Sequence, residues 1–180
     1  MFKPLLNRLL LPAVLLGALA LPLASCDDDD DDKVQPTPEK TLYERLGGYT
    51  GVKSVVDKFL VNVVTTASTS SRLGNSFQSL INEINTSTTA MPGTTAFDVP
   101  RVRLLQHNLI DQIGEAAGGP LKYKGKDMGP AHAGMNITNA EFDALVAELS
   151  KACDSARVAP ADKATLLGVL APMRSSIVGR

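Results

Sequence analysis

From Thr41 onward the apolar residues return every three or four positions, and nowhere do they alternate. A periodicity near 3.6 places them on single helix faces, whereas a half-buried strand would need a period of two. Leu42 and Leu46 are followed, after the Gly47-Gly48 break, by Val52, Val55, Val56, Phe59, Leu60 and Val63. Residues 65–71 are Thr, Ser and Ala, and residues 85–96 are again rich in Thr, Ser and Pro. Between them Leu73, Phe77, Leu80, Ile81 and Ile84 suggest a short helix or two. Val102, Leu105, Leu109, Ile110 and Ile113 mark a further helix, stopped by Gly118-Gly119-Pro120. Residues 120–137 carry Gly and Pro without periodicity and read as an irregular loop. Thr138-Asn139-Ala140-Glu141 is a capping box, and Phe142, Leu145, Val146 and Leu149 form the inward stripe behind it. Pro160 opens a last helix with the stripe Leu166, Leu167, Leu170, Met173 and Ile177. The expectation is one compact all-α domain over residues 41–180.

The chain ahead of that domain has a different logic. Lys3 and Arg8 precede an apolar stretch, Leu9–Leu23, interrupted by Pro12, Gly17 and Pro22. At about 15 residues it is shorter than the ~20 needed to span a bilayer as a helix, and its layout is that of a secretory signal, residues 1–25. It ends in Leu23-Ala24-Ser25-Cys26, which resembles a bacterial lipobox. That resemblance implies cleavage before Cys26, lipidation of Cys26, and a membrane anchor on the periplasmic or cell-surface side. An ordinary signal with a chance cysteine is the alternative. Residues 26–40 then form a spacer. The six aspartates Asp27–Asp32 repel one another and bury nothing, and Lys33-Val34-Gln35-Pro36-Thr37-Pro38 continues as an extended stalk. Which membrane is occupied is not specified by these residues.

Composition removes whole classes of chemistry. With 18 Lys and Arg against 19 Asp and Glu, the chain has no excess of positive charge to serve as a nucleic-acid footprint. Aromatic residues at 4% leave little for base stacking. Two cysteines, Cys26 and Cys153, make neither a disulfide framework nor a cysteine-rich metal cluster, and two histidines exclude a multi-histidine metal site. If Cys26 carries lipid, Cys153 is a lone thiol in a helical pattern and reads as a small core residue. No Ser/His/Asp or Cys/His arrangement is supported by spacing, and the Gly-Gly turns lack the Lys and Ser/Thr of a phosphate loop.

What remains is His132, within Met128-Gly129-Pro130-Ala131-His132-Ala133-Gly134. Alone, a loop histidine is more often a surface residue than a ligand. Its neighbours change that weighting. Leu46-Gly47-Gly48, Gly118-Gly119-Pro120, Tyr123, Gly125, Asp127-Met128, His132-Ala133-Gly134, Ile137-Thr138 and Phe142-Asp143 together resemble the group I truncated haemoglobins, and Leu167–Arg174 continues the likeness. The resemblance covers about residues 41–178. It implies a two-over-two helical sandwich around haem b, with His132 as the proximal iron ligand and a diatomic gas on the opposite face. It further implies that Phe77 packs on the porphyrin and that Tyr123 and Met128 flank it near the proximal side. An irregular loop before His132 would leave the ring free to swing beneath the iron.

The chain also departs from the family pattern. Where relatives carry Phe-Tyr on the second helix, the pair here is Phe59-Leu60, so the hydroxyl that hydrogen-bonds dioxygen is missing. Distal positions that often hold glutamine fall on Leu105 and Leu109. The distal wall is therefore expected to be apolar, which suits nitric oxide or carbon monoxide better than stored dioxygen. Gln106 and His107 are the candidates to restore polarity, His107 as a sixth iron ligand or as a solvent-facing residue. Ser79–Thr95 reads as an inserted loop, of a kind that costs little in closure entropy. The functional expectation is reversible binding of dioxygen, nitric oxide or carbon monoxide by a haem protein rather than an enzyme. Two alternatives stand beside it: a globin-based redox enzyme acting through His107 or Gln106, and a haem-free helical interaction lipoprotein. No reductase partner is specified.

Overall fold

A computed structural model describes residues 39–69, 73–90, 93 and 95–180. The signal, Cys26 and the aspartate run lie outside the described residues. Eight α-helices are described: α1 (Leu42–Arg45), α2 (Gly48–Thr69), α3 (Gly74–Ala90), α4 (Pro100–Ala116), α5 (Met128–His132), α6 (Asn139–Ser155), α7 (Pro160–Leu170) and α8 (Arg174–Ile177). Two 3-10 turns, Ala96–Asp98 and Ala171–Met173, join them. No strand occurs among the described residues, in agreement with the absence of any alternating pattern.

The helix starts follow local chemistry. Thr41 and Glu44 form a reciprocal capping box on α1, and Thr138 and Glu141 do the same on α6. Backbone and hydroxyl donation from Thr138 holds the Glu141 carboxyl below the usual glutamate range. Pro100 and Pro160 occupy the first turns of α4 and α7, where a missing N–H costs nothing.

α2 is the central element, packing against α1, α3, α4 and α6, while α6 packs in turn on α7. The pairs α2/α4 and α6/α7 make up the two-over-two arrangement. Their shared core contains Val52, Val55, Val56, Val63, Ile110, Cys153 and Leu166, all essentially withdrawn from solvent. Burying each such aliphatic side chain contributes about 1.5–3 kcal/mol before the entropy of ordering is charged against it. Cys153 is a packed core thiol, and burial pushes its pKa up, away from the reactive thiolate.

Three local expectations are corrected. The stretch expected to loop out at Ser79–Thr95 is helical through Ala90. Leu80 and Ile84 bury with Val99 and Val102 in a second small core, and Ile81 joins the main one. The polar residues that suggested a loop are absorbed within the helix, since Thr86 and Thr88 donate their hydroxyls to the carbonyls of Asn82 and Ile84 at 2.8 and 2.9 Å. The segment 120–137 is not wholly irregular, because a one-turn helix, α5, ends on His132. The C-terminal helix breaks after Leu170, where Pro172 sits in a 3-10 turn, and only α8 resumes the helical path.

Candidate haem-binding site

A cavity of about 440 Å³ opens between α2, α3, α4, α5 and α6. That volume falls within the ~300–1,000 Å³ typical of cofactor and small-molecule pockets. α2 contributes Phe59, Leu60 and Val63; α3 contributes Phe77 and Leu80; α4 contributes Leu105 and Leu109. Phe142, Leu145 and Leu149 from α6 close the other side, with Tyr123, Met128 and His132 at the α5 end. Seven of the residues singled out in the sequence therefore meet at one cavity: Leu60, Phe77, Leu105, Leu109, Tyr123, Met128 and His132.

His132 is half-buried at the end of α5, and its Nδ1 lies 2.7 Å from the Met128 carbonyl oxygen. A carbonyl can only accept, so Nδ1 carries the proton and donates it. The other ring nitrogen, Nε2, is then left with a free lone pair, the arrangement of a histidine prepared to bind a metal. Among the described residues no three His, Cys, Asp or Glu side chains gather to hold a bare ion. A metal here must bring most of its own ligands, as a porphyrin does. A mostly apolar cavity with one available imidazole fits haem.

The surroundings hold the walls in place. Glu115, near the end of α4, accepts the Tyr123 backbone N–H at 2.9 Å and pairs with Lys122 at 3.0 Å, and these donors keep its carboxyl below the usual range. Tyr123 is thereby held against the cavity, with its hydroxyl donating to the Lys126 carbonyl at 2.9 Å. Partial burial, with a smaller contribution from Asp127, raises its pKa. Arg174 of α8 lies 4.4 Å from the ring centre of Phe142 on α6 and also pairs with Asp143, bracing that wall.

His107 does not join the cavity. It is exposed on α4 and absent from the lining, so its proposed role as a sixth ligand is corrected to that of a solvent-facing residue. Gln106 points elsewhere as well, donating to Asp57 of α2. The reason is helical phase: Leu105 and Leu109 sit one turn apart on the cavity face, while positions 106 and 107 lie 100° and 200° further round. The same phase brings in residues the sequence reading missed. Arg101, Asn108 and Gln112 line the cavity with Leu105 and Leu109, so the distal helix is less uniformly apolar than expected. Their spacing of three or four from Leu105 or Leu109 was the available signal. Ser76 of α3 and Glu141 of α6 also reach the lining and lie 3.4 Å apart.

Residues 72–178 match the family model described as bacterial-like globin. The chain belongs to that family. It is 31% identical over 111 residues to a group 1 truncated haemoglobin of Tetrahymena pyriformis, covering 62% of this chain and 72% of the relative. It is 26% identical over 140 residues to the group 1 truncated haemoglobin of Nostoc sp. (strain MUN 8820), covering 78% of this chain and 98% of that one. The crystal structure of the Tetrahymena pyriformis truncated haemoglobin in its Fe(III) form superposes with a TM-score of 0.59 at 25% identity, over 78% of this chain and all of the other. The cavity between α2, α4 and α6, with an additional wall supplied by α3, is thus the candidate haem pocket of this globin.

Proposed function

We propose that this globin binds haem b in that cavity through His132 and takes up a diatomic gas reversibly on the opposite face. Haem supplies an iron whose open coordination position accepts dioxygen, nitric oxide or carbon monoxide. The chain's own residues do the rest. His132 presents Nε2 while the Met128 carbonyl fixes the ring's tautomer. Phe77, Leu145 and their apolar neighbours would exclude water from a porphyrin bound in the cavity they line. Leu60, Leu105 and Leu109 offer no donor to a bound gas, and Arg101 and Asn108 are donors on the same helix face. The observation that carries this reading is the short Nδ1 contact to Met128, which leaves Nε2 available on a histidine that lines a mostly apolar cavity of about 440 Å³.

The test is an absorption spectrum of the whole protein in mild detergent with haem supplied. We expect one haem per chain and a Soret band that moves when carbon monoxide is added to the ferrous form. Broad ferrous visible bands before gas is added are expected, as His107 faces solvent. No stoichiometric haem would overturn the reading.

The reading extends to location: an exported globin tethered by lipid at Cys26, with the aspartate run as a solvated stalk. Its support is the sequence around Cys26. Cys26→Ser should move the protein from the membrane fraction of an expressing cell to the soluble or secreted fraction and abolish incorporation of labelled palmitate. A variant that stays membrane-bound would refute the anchor.

A further inference from the structure

Gln112 is a polar side chain on the same α4 stripe as Leu105 and Leu109, and it faces an interior made mostly of aliphatic and aromatic groups. A leucine there would pack equally well and spare the desolvation of an amide. The amide nitrogen is instead engaged by two sulfurs: Nε2 lies 3.2 Å from Met128 Sδ and 3.5 Å from Met173 Sδ. Gln112 thus ties α4 to α5 and to the 3-10 turn before α8. It also stands in the partition between the main cavity and a neighbouring one of about 240 Å³, a wall it shares with Tyr123, Met128 and Met173.

Met128 is the residue whose carbonyl accepts from His132 Nδ1. α5, which carries both, is five residues long, has no side-chain cap hydrogen bond from Asp127, and buries none of its residues fully. It packs on α8, and Gln112 reaches it from the α4 side. We propose that Gln112 is a positioning residue for the His132 imidazole: by holding the Met128 side chain it holds the Met128 carbonyl, and so keeps the proton on Nδ1 and the lone pair on Nε2. The significance for iron rests on the haem reading above, because a hydrogen bond at the far nitrogen makes an imidazole a stronger ligand. The statement about the ring does not depend on haem.

Two readouts separate these levels. In haem-free, full-length protein at alkaline pH, nitrogen-15 shifts of the His132 ring report which nitrogen is protonated. The Nδ1–H form should predominate in the natural protein and give way to a mixture of tautomers in Gln112→Leu. With haem bound, the ferrous iron–histidine stretch should move several wavenumbers lower in Gln112→Leu. Met128→Leu should produce the same two changes, and Gln112→Leu should add nothing in the Met128→Leu background, the signature of two residues acting as one unit. Gln112→Met, which fills the space with a flexible apolar chain, serves if the leucine variant does not fold. An unchanged tautomer in a folded Gln112 variant overturns the proposal, as does full additivity in the double variant. Tautomers that follow Gln112 in a protein that takes up no haem would uphold the positioning and sink the haem reading alone.

Discussion

Replacing His132 by alanine is expected to abolish stoichiometric haem binding, or to leave haem without its carbon monoxide-sensitive Soret shift. Seven of the nine candidate residues line the cavity, but His132 is the one imidazole among them, and its Nδ1 is already occupied by the Met128 carbonyl. The free Nε2 has no substitute of equal donor strength: Met128 and Met173 offer thioethers, and both are engaged by Gln112. The effect should also appear in stability. A ligand that binds only the folded state at a thousandfold excess over its Kd adds about 4.1 kcal/mol by mass action, and His132→Ala should forfeit that increment. Without haem the half-buried ring contributes little, so the two proteins should unfold within about 0.5 kcal/mol of each other. Added imidazole should restore the spectrum of the variant, since it can enter the space the side chain vacates. A variant that keeps haem, the gas-dependent shift and the full thermal increment would show that His132 is not the ligand.

The second large effect concerns the elbow that places α2. A Cβ built on Gly51 would stand 1.7 Å from the Leu46 carbonyl oxygen and 2.7 Å from its carbon, both of them backbone atoms. Neither can rotate away as a side chain could. Gly51→Ala must therefore pry α1 from α2, opening a corner stabilised by the buried residues Leu42 and Leu46. We expect a loss of about 3 kcal/mol, the upper part of the overpacking range, read as a fall in the urea midpoint. Gly168→Ala is the matched control. Gly168 lies exposed within α7 and a Cβ there meets nothing within 4 Å, so the better helix former should gain about 0.8–1 kcal/mol. Two identical substitutions within helices should thus have opposite signs. Equal effects at the two positions would show that helix propensity, and not the α1–α2 contact, governs Gly51.

Much of the fold was legible from the positions of its apolar residues. The stripes of α2, α4 and α6 and the capping box at Thr138 depend on neighbours within one or two turns, and they appear where their periodicity placed them. α3 was expected as a short helix or two, and its later part was misread as a loop because its exposed face carries Ser, Thr and Asn. Those residues count against a helix until a buried stripe, here Leu80, Ile81 and Ile84, is shown to have somewhere to pack. Tertiary burial overrode weak propensity. The site was legible at His132, Tyr123, Met128 and Phe77 through the resemblance. Of the two readings open for His107, helical phase decides between them, because one residue along α4 turns a side chain from the cavity toward solvent.

The sequence by itself determined that the domain is helical, where most of the helices begin, and that one histidine stands in the segment between two apolar helices. Those are consequences of short-range periodicity and capping, which need no distant partner. Only the tertiary structure decided that α3 walls the cavity, that Gln112 reaches across to Met128, and that His132 Nδ1 faces the Met128 carbonyl. Each of these depends on atoms far apart in the chain meeting within hydrogen-bond or van der Waals distance, which local spacing does not encode.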